Sequence, residues 1–220
     1  MIQQQLRKKI YIIIPILLFL SAFGIFSYNL DKMPINGDEE TYYYPAHVNY
    51  FGLILEGDLF NDCWKDRSIC EQTSGKYAGE DPDRLSGLKF KIEPFPHYPT
   101  QLPPIILVGT SVALFGNNDD LAFSYENLTA ARLVSTILGA LMVVFVFYIG
   151  KLLFNRFIGI SFALLVLFHG LVIFNSRLIM LEIFSHFFLI FSFLLFIKAI
   201  SNGKINLKIL LFSAALCSLG

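Results

Sequence analysis

Long apolar runs separated by polar breaks set the pattern of this chain. The first run, Tyr11 to Leu30, follows Arg7, Lys8 and Lys9. It is long enough to cross a hydrocarbon core, which takes about 20 helical residues. It exceeds the roughly 7 to 15 apolar residues of a signal-peptide core, and Ser27-Tyr28-Asn29 is a poor cleavage site. We read an uncleaved span whose N-terminus is cytoplasmic. From Asp31 to about Tyr98 the chain is polar, mixed in charge and broken by Gly and Pro, which makes it a large outer loop. Within it Tyr42, Ala46, Tyr50, Leu53 and Ile54 recur at helical spacing and predict an amphipathic helix along the membrane surface.

Five further apolar runs follow: Leu102 to Phe115, Thr129 to Gly150, Phe157 to Asn175, Leu178 to Ile200 and Leu207 to Gly220. The first is short and opens on Pro103-Pro104, so charge must decide its role. If it crossed the membrane, Lys151 and Arg156 would lie outside while Asp119, Asp120 and Glu126 lay in the cytoplasm, inverting the positive-inside pattern. With residues 102–115 as an interfacial or re-entrant helix, the remaining runs become spans two to five. The cytoplasmic segments then carry eight bases and no acid. The last run reads as an incomplete span, as expected of the front part of a longer protein.

Composition agrees with this class: 55% of residues are hydrophobic, 23 are Phe, and the mean hydropathy is +0.60. The formal net charge of zero conceals a segregation, because all 17 acids lie between Asp31 and Glu182. The expected fold is an all-α polytopic membrane protein, residues 1–220 forming the N-terminal part of one transmembrane domain.

The same topology places Asp38, Glu39, His97, Arg132, Arg177 and Glu182 near the outer face. Charged groups in or beside spans cost a few kcal/mol unless paired or hydrated, which makes them functional candidates. Glu182 precedes His186 by one helical turn, so the two can share a face as an i,i+4 pair. They are candidates to line a cavity or hold a divalent cation, although a buried structural hydrogen bond is the plainer account. His169, among Phe and Leu, reads as a packing residue. Cys63 and Cys70, in CWKDRSIC, have a spacing compatible with a small disulfide loop in an oxidising compartment. Cys217 lies in an apolar run and reads as packing. Asn127-Leu128-Thr129 is a glycosylation sequon beside the second span. No Gly-rich phosphate cradle, Ser-His-Asp arrangement or CxxC pair is present, and topology divides the bases too much for a nucleic-acid face.

These motifs, in this order, resemble a family. Gly37-Asp38-Glu39 just after the first span, with Tyr44 and Ala46 following, resembles the start of protein O-mannosyltransferases and their prokaryotic relatives, including the aminoarabinose transferases. HYPTQLPPIILVGTSVALFG (His97 to Gly116) resembles the family's His-Pro-Pro-Leu-Gly-Lys region and its juxtamembrane helix. ARLVSTILGALMVVFVFYIGKLLF (Ala131 to Phe154) resembles the Arg-led second span, and NSRLIMLE (Asn175 to Glu182) an Arg-hydrophobic-Leu-Asp motif. The chain departs from the pattern where Tyr98 follows His97, where the double proline is displaced to Pro103-Pro104, where no Lys closes that motif, and where Glu182 replaces Asp.

The resemblance implies a GT-C-type helix bundle with juxtamembrane helices in its first outer loop. It also implies transfer of a sugar, mannose-like, from a polyprenyl or dolichyl phosphate to a protein or lipid acceptor. The site would face outward or into the lumen, in a prokaryotic cytoplasmic membrane or the endoplasmic reticulum. Asp38 is then the implied general base, with inversion, and Glu39 positions the acceptor or a metal. Arg132 and Arg177 suit the lipid phosphate, since a guanidinium offers forked donors and stays charged near lipid. Snorkelling to a headgroup is the alternative for both. His97 is a candidate for phosphate or donor sugar, and Glu182 for the donor site. Two other classes remain open: a lipid-linked substrate transporter or flippase, and a noncatalytic assembly partner. The former should place charge at mid-span, whereas here it clusters at outer ends. An oligosaccharyltransferase-like Asp-x-Asp is not supplied by Asp38-Glu39-Glu40.

Overall fold

The computed structural model describes residues 2–35, 51, 102–116, 125–201 and 205–219. Among them all regular structure is helical, in seven α-helices and one 3-10 turn. These are α1 (Ile2–Ser27), α2 (Leu102–Phe115), α3 (Tyr125–Leu153), α4 (Arg156–Leu167), α5 (Gly170–Asn175), α6 (Leu181–Ile200) and α7 (Leu207–Cys217). Helices α1, α3 and α6 contain stretches long and apolar enough to cross a membrane. The amphipathic helix expected around Tyr42 to Ile54 lies, Phe51 apart, outside the described residues.

The chain forms two compact units, residues 1–30 with 135–220, and residues 31–134. In the first, α1 supplies a stripe at helical spacing, Leu18, Ala22 and Phe26, which packs with Val143 and Phe147 of α3 and with Ala163 and Leu167 of α4. Its Ile12, Ile13, Ile16, Leu17 and Leu20 are instead about half or more exposed, an apolar surface suited to a lipid environment. Two glycines bring α3 and α4 together: a Cβ on Gly150 would lie 2.8 Å from the Gly159 Cα, and one on Gly159 2.6 Å from the Phe147 carbonyl oxygen. Small residues at such crossings let backbones approach where lipid supplies no hydrophobic drive. Phe145 of α3 stacks on Phe191 of α6, with centroids 4.8 Å apart.

Ser192 on α6 and Ser213 on α7 exchange bonds, each hydroxyl donating 2.8 Å to the other's backbone carbonyl. Both are buried, so each hydroxyl is satisfied without solvent. Asn155 caps α4, its side-chain oxygen accepting from the amides of Phe157 (2.9 Å) and Ile158 (3.1 Å). The apolar stretch 157–175 is divided between α4 and α5, with Phe168 and His169 at the break. His169 is exposed and N-caps α5 through its backbone position, without a side-chain bond, so it is not the packing residue its apolar surroundings suggest.

In the second unit, α2 begins with Pro103 and Pro104 in its first turn, where a missing amide hydrogen costs nothing because those donors have no intrahelical partner. Ser111 of α2 donates 2.6 Å to the Ala130 carbonyl of α3. Gly116 packs against the Asn127 side chain. The pairing 111 with 130 and 116 with 127 makes α2 antiparallel to the start of α3. The ring of Phe51, itself buried and helical, lies directly on Gly109. A side chain at 109 would occupy the ring's place, so this glycine lets Phe51 pack on α2.

Candidate functional site

Helix α1 stops at Ser27, and Asn29 takes a left-handed backbone (φ 51°) that asparagine tolerates better than most residues. A 3-10 turn over Leu30–Lys32 follows, leading to Met33, Pro34 and Ile35. This exit carries the chain toward the acidic stretch. Its carbonyls have left the helix ladder and need donors from elsewhere. The two arginines singled out by sequence supply some of them.

Within the second unit Arg132 donates through Nη1 to the Met33 carbonyl and through Nη2 to the Pro34 carbonyl, both at 3.1 Å. It is only 1% exposed. A guanidinium can hold two successive carbonyls because its donors form a rigid planar fork. Snorkelling to a headgroup does not describe it, since its charged end is directed at backbone and its whole side chain is buried.

Within the first unit Arg177, in the turn between α5 and α6, donates through Nη2 to the Tyr28 carbonyl at 2.7 Å. Its Nε is buried and has no hydrogen-bond partner among the described residues. A carbonyl accepts a hydrogen bond without cancelling the charge, so this guanidinium keeps donor capacity and charge suited to an anion. Beside it Ser176 is fully buried, and its carbonyl accepts from Thr136 Oγ1 at 3.1 Å. The Ser176 side chain lies against Gly139, where an added Cβ would come within 2.6 Å of the Ser176 Cβ. Ser135 and Ser176 each keep a buried hydroxyl unpartnered among the described residues.

Glu182 in the first turn of α6 and His186 one turn later are both exposed, and among the described residues no hydrogen bond joins them. The described residues contain no group of three or more His, Cys, Asp or Glu able to hold a metal. Asp38, Glu39, His97, Cys63 and Cys70 lie outside the described residues. Cys217 is a free, exposed thiol, not a packed one.

Sequence reading passed over Ser135, Thr136 and Ser176. The signal was present: Arg132, Ser135, Thr136 and Gly139 recur at intervals of three and four within an apolar span, a small and polar stripe on one helix face. The Tyr28, Met33 and Pro34 carbonyls had no side-chain signature to read.

An all-helical, multi-pass membrane protein with arginines held at the ends of its apolar helices is the class these features define. Residues 107–220, more than half of the chain, match the family model described as dolichyl-phosphate-mannose-protein mannosyltransferase, and the chain belongs to that family. No curated protein and no solved structure matches it. Arg132, Arg177, Glu182 and His186 fall inside the matched stretch, whereas Asp38, Glu39 and His97 precede it.

Proposed function

We propose that the protein moves a mannose-like hexose from a dolichyl or polyprenyl phosphate to an acceptor hydroxyl, on the outer or luminal face of the membrane and with inversion. The observation that carries this reading is the family match over residues 107–220, a stretch that holds both buried or half-buried arginines.

In the reaction the acceptor oxygen attacks the anomeric carbon from the face opposite the phosphate. The bond from that carbon to the phosphate oxygen breaks, and the carrier leaves as the phosphate monoester. Asp38 takes the hydroxyl proton, and Glu39 orients the acceptor. A carboxylate at a low-dielectric boundary is a stronger base than one in water. Arg177, with a donor to spare, stabilises charge gathering on the departing phosphate. Glu182 and His97 are assigned to the donor sugar. A divalent cation held by Glu182 and His186 would need further ligands from outside the described residues.

Asp38→Asn in the full-length protein tests the base. The amide keeps the shape but cannot accept the proton, so turnover should fall roughly 10²- to 10⁴-fold with donor binding retained. Arg177→Ala should instead raise the KM for the lipid-phosphate donor, and Glu40→Gln should be mild. A folded Asp38→Asn enzyme with normal turnover defeats the assignment.

A further inference from the structure

Two cations and two exposed rings meet where α3 gives way to α4. We propose that this turn binds an anionic phospholipid: Arg156 and Lys151 hold the headgroup phosphate, and Phe154 and Phe157 sit among the acyl chains beside it. The site is independent of the sugar-transfer reading.

The turn is short and its backbone is fixed. The Phe154 amide donates 3.0 Å to the Gly150 carbonyl and the Gly159 amide 2.9 Å to the Asn155 carbonyl, so only Phe154 and Asn155 separate α3 from α4. Arg156 is exposed, and its guanidinium makes no hydrogen bond or ion pair among the described residues; its Cζ lies 4.9 Å from the centre of the Phe157 ring. Such stacking orients the planar fork and leaves its donors for a phosphate. Lys151 brings a second cation, its Nζ 5.3 Å from the Tyr148 ring centre and 5.9 Å from that of Phe147. The rings point to a lipid and not to a dissolved anion. Phe154 and Phe157 are 61% and 67% exposed, and Leu152 and Leu153 43% and 50%, an apolar rim that a soluble ligand would leave in water. Charge agrees. The first unit contains a single acidic residue, Glu182, which follows the turn whose Ser176 carbonyl accepts from Thr136. Thr136 stands fifteen residues, about 22 Å, back along α3 from Lys151, so no acidic side chain of this unit neutralises the site. Basic sites between membrane helices are where anionic headgroups bind.

The test uses the full-length protein purified in detergent, with phosphatidylglycerol and phosphatidylcholine offered together and the retained lipid counted by native mass spectrometry. Expected is retention of phosphatidylglycerol over phosphatidylcholine by at least about 10-fold, falling roughly 5-fold in Arg156→Gln and further when Lys151→Gln is added. Phe157→Ser, which removes the ring under the guanidinium, should weaken the preference as well. Arg156 and Phe157 are both exposed, so an unchanged melting temperature certifies the fold of each variant. Should Arg156→Gln not fold, Phe157→Ser carries the test, and an unchanged preference in it overturns the proposal. Lys198→Gln combined with Lys208→Gln, exposed bases on α6 and α7, is the control and should keep the preference. Equal loss in that control would show a general attraction of anions to basic helix ends, and equal retention of the two lipids by the wild type would show no site; either result overturns the proposal. Displacement of phosphatidylglycerol by inorganic phosphate alone would do the same, because the turn would then serve a dissolved anion.

Discussion

Asn127 carries a sequon that the fold withdraws from use. In the chain, Asn127-Leu128-Thr129 sits beside three acids and looks like surface. In the structure Asn127 is 1% exposed, and its amide packs against Gly116 at the end of α2. A glycan cannot be accommodated there without unpacking α2 from α3. Thr129→Ala expressed in a glycosylating host should therefore leave electrophoretic mobility unchanged, and a loss of glycan mass would show that modification precedes folding. Arg132 and Arg177 teach a related lesson. Their importance was legible, because charge in an apolar span demands a partner. Their partners were not, because backbone carbonyls 28, 33 and 34 acquire neighbours only when distant helices meet.

The helices owe their crossings to glycines whose effect depends entirely on what faces them. Gly139 on α3 faces the Ser176 side chain, whereas Gly24 on α1 has nothing within 4 Å of an added Cβ. Gly139→Ala pushes on the Ser176 Cβ as well as its hydroxyl, so a rotamer change cannot relieve it. Overpacking of this kind costs about 1–3 kcal/mol, which amounts to several degrees of melting temperature for a domain this size. Gly24→Ala should leave the melting temperature unchanged or slightly higher, because alanine is the better helix former. Comparable melting of the two variants in one detergent would show that the contact at Ser176 is not limiting. Gly139 continues the small and polar stripe of α3, but hydropathy alone does not distinguish the two glycines. Each sits in an apolar run, and only the opposing element differs.

For the whole molecule, the membrane topology deduced from charge has a direct check. Cysteines placed at Lys151 and Lys204 should react only with reagent on the cytoplasmic side, and those at Ser74 and Asn118 only from outside. Labelling of 74 and 118 from opposite faces would mean that α2 crosses the membrane. At 14 residues α2 measures about 21 Å, short of the ~30 Å hydrocarbon core. The same membranes test the loop cysteines: Cys63 and Cys70 should react with a thiol reagent only after reduction, and free labelling beforehand excludes the disulfide.

Sequence alone was sufficient for the helical class and the family, because each depends on local quantities: run length, hydropathy and motif order. A long apolar run between polar breaks becomes helical, since in lipid the backbone must satisfy itself. Tertiary structure decided what these quantities do not contain. It divided residues 157–175 at Phe168 and His169, buried the sequon, paired Ser192 with Ser213, and gave two arginines to carbonyls 98 and more positions away. Such contacts join groups with no periodic relation along the chain. They exist only where packing removes water and leaves a carbonyl and a guanidinium as each other's remaining partners.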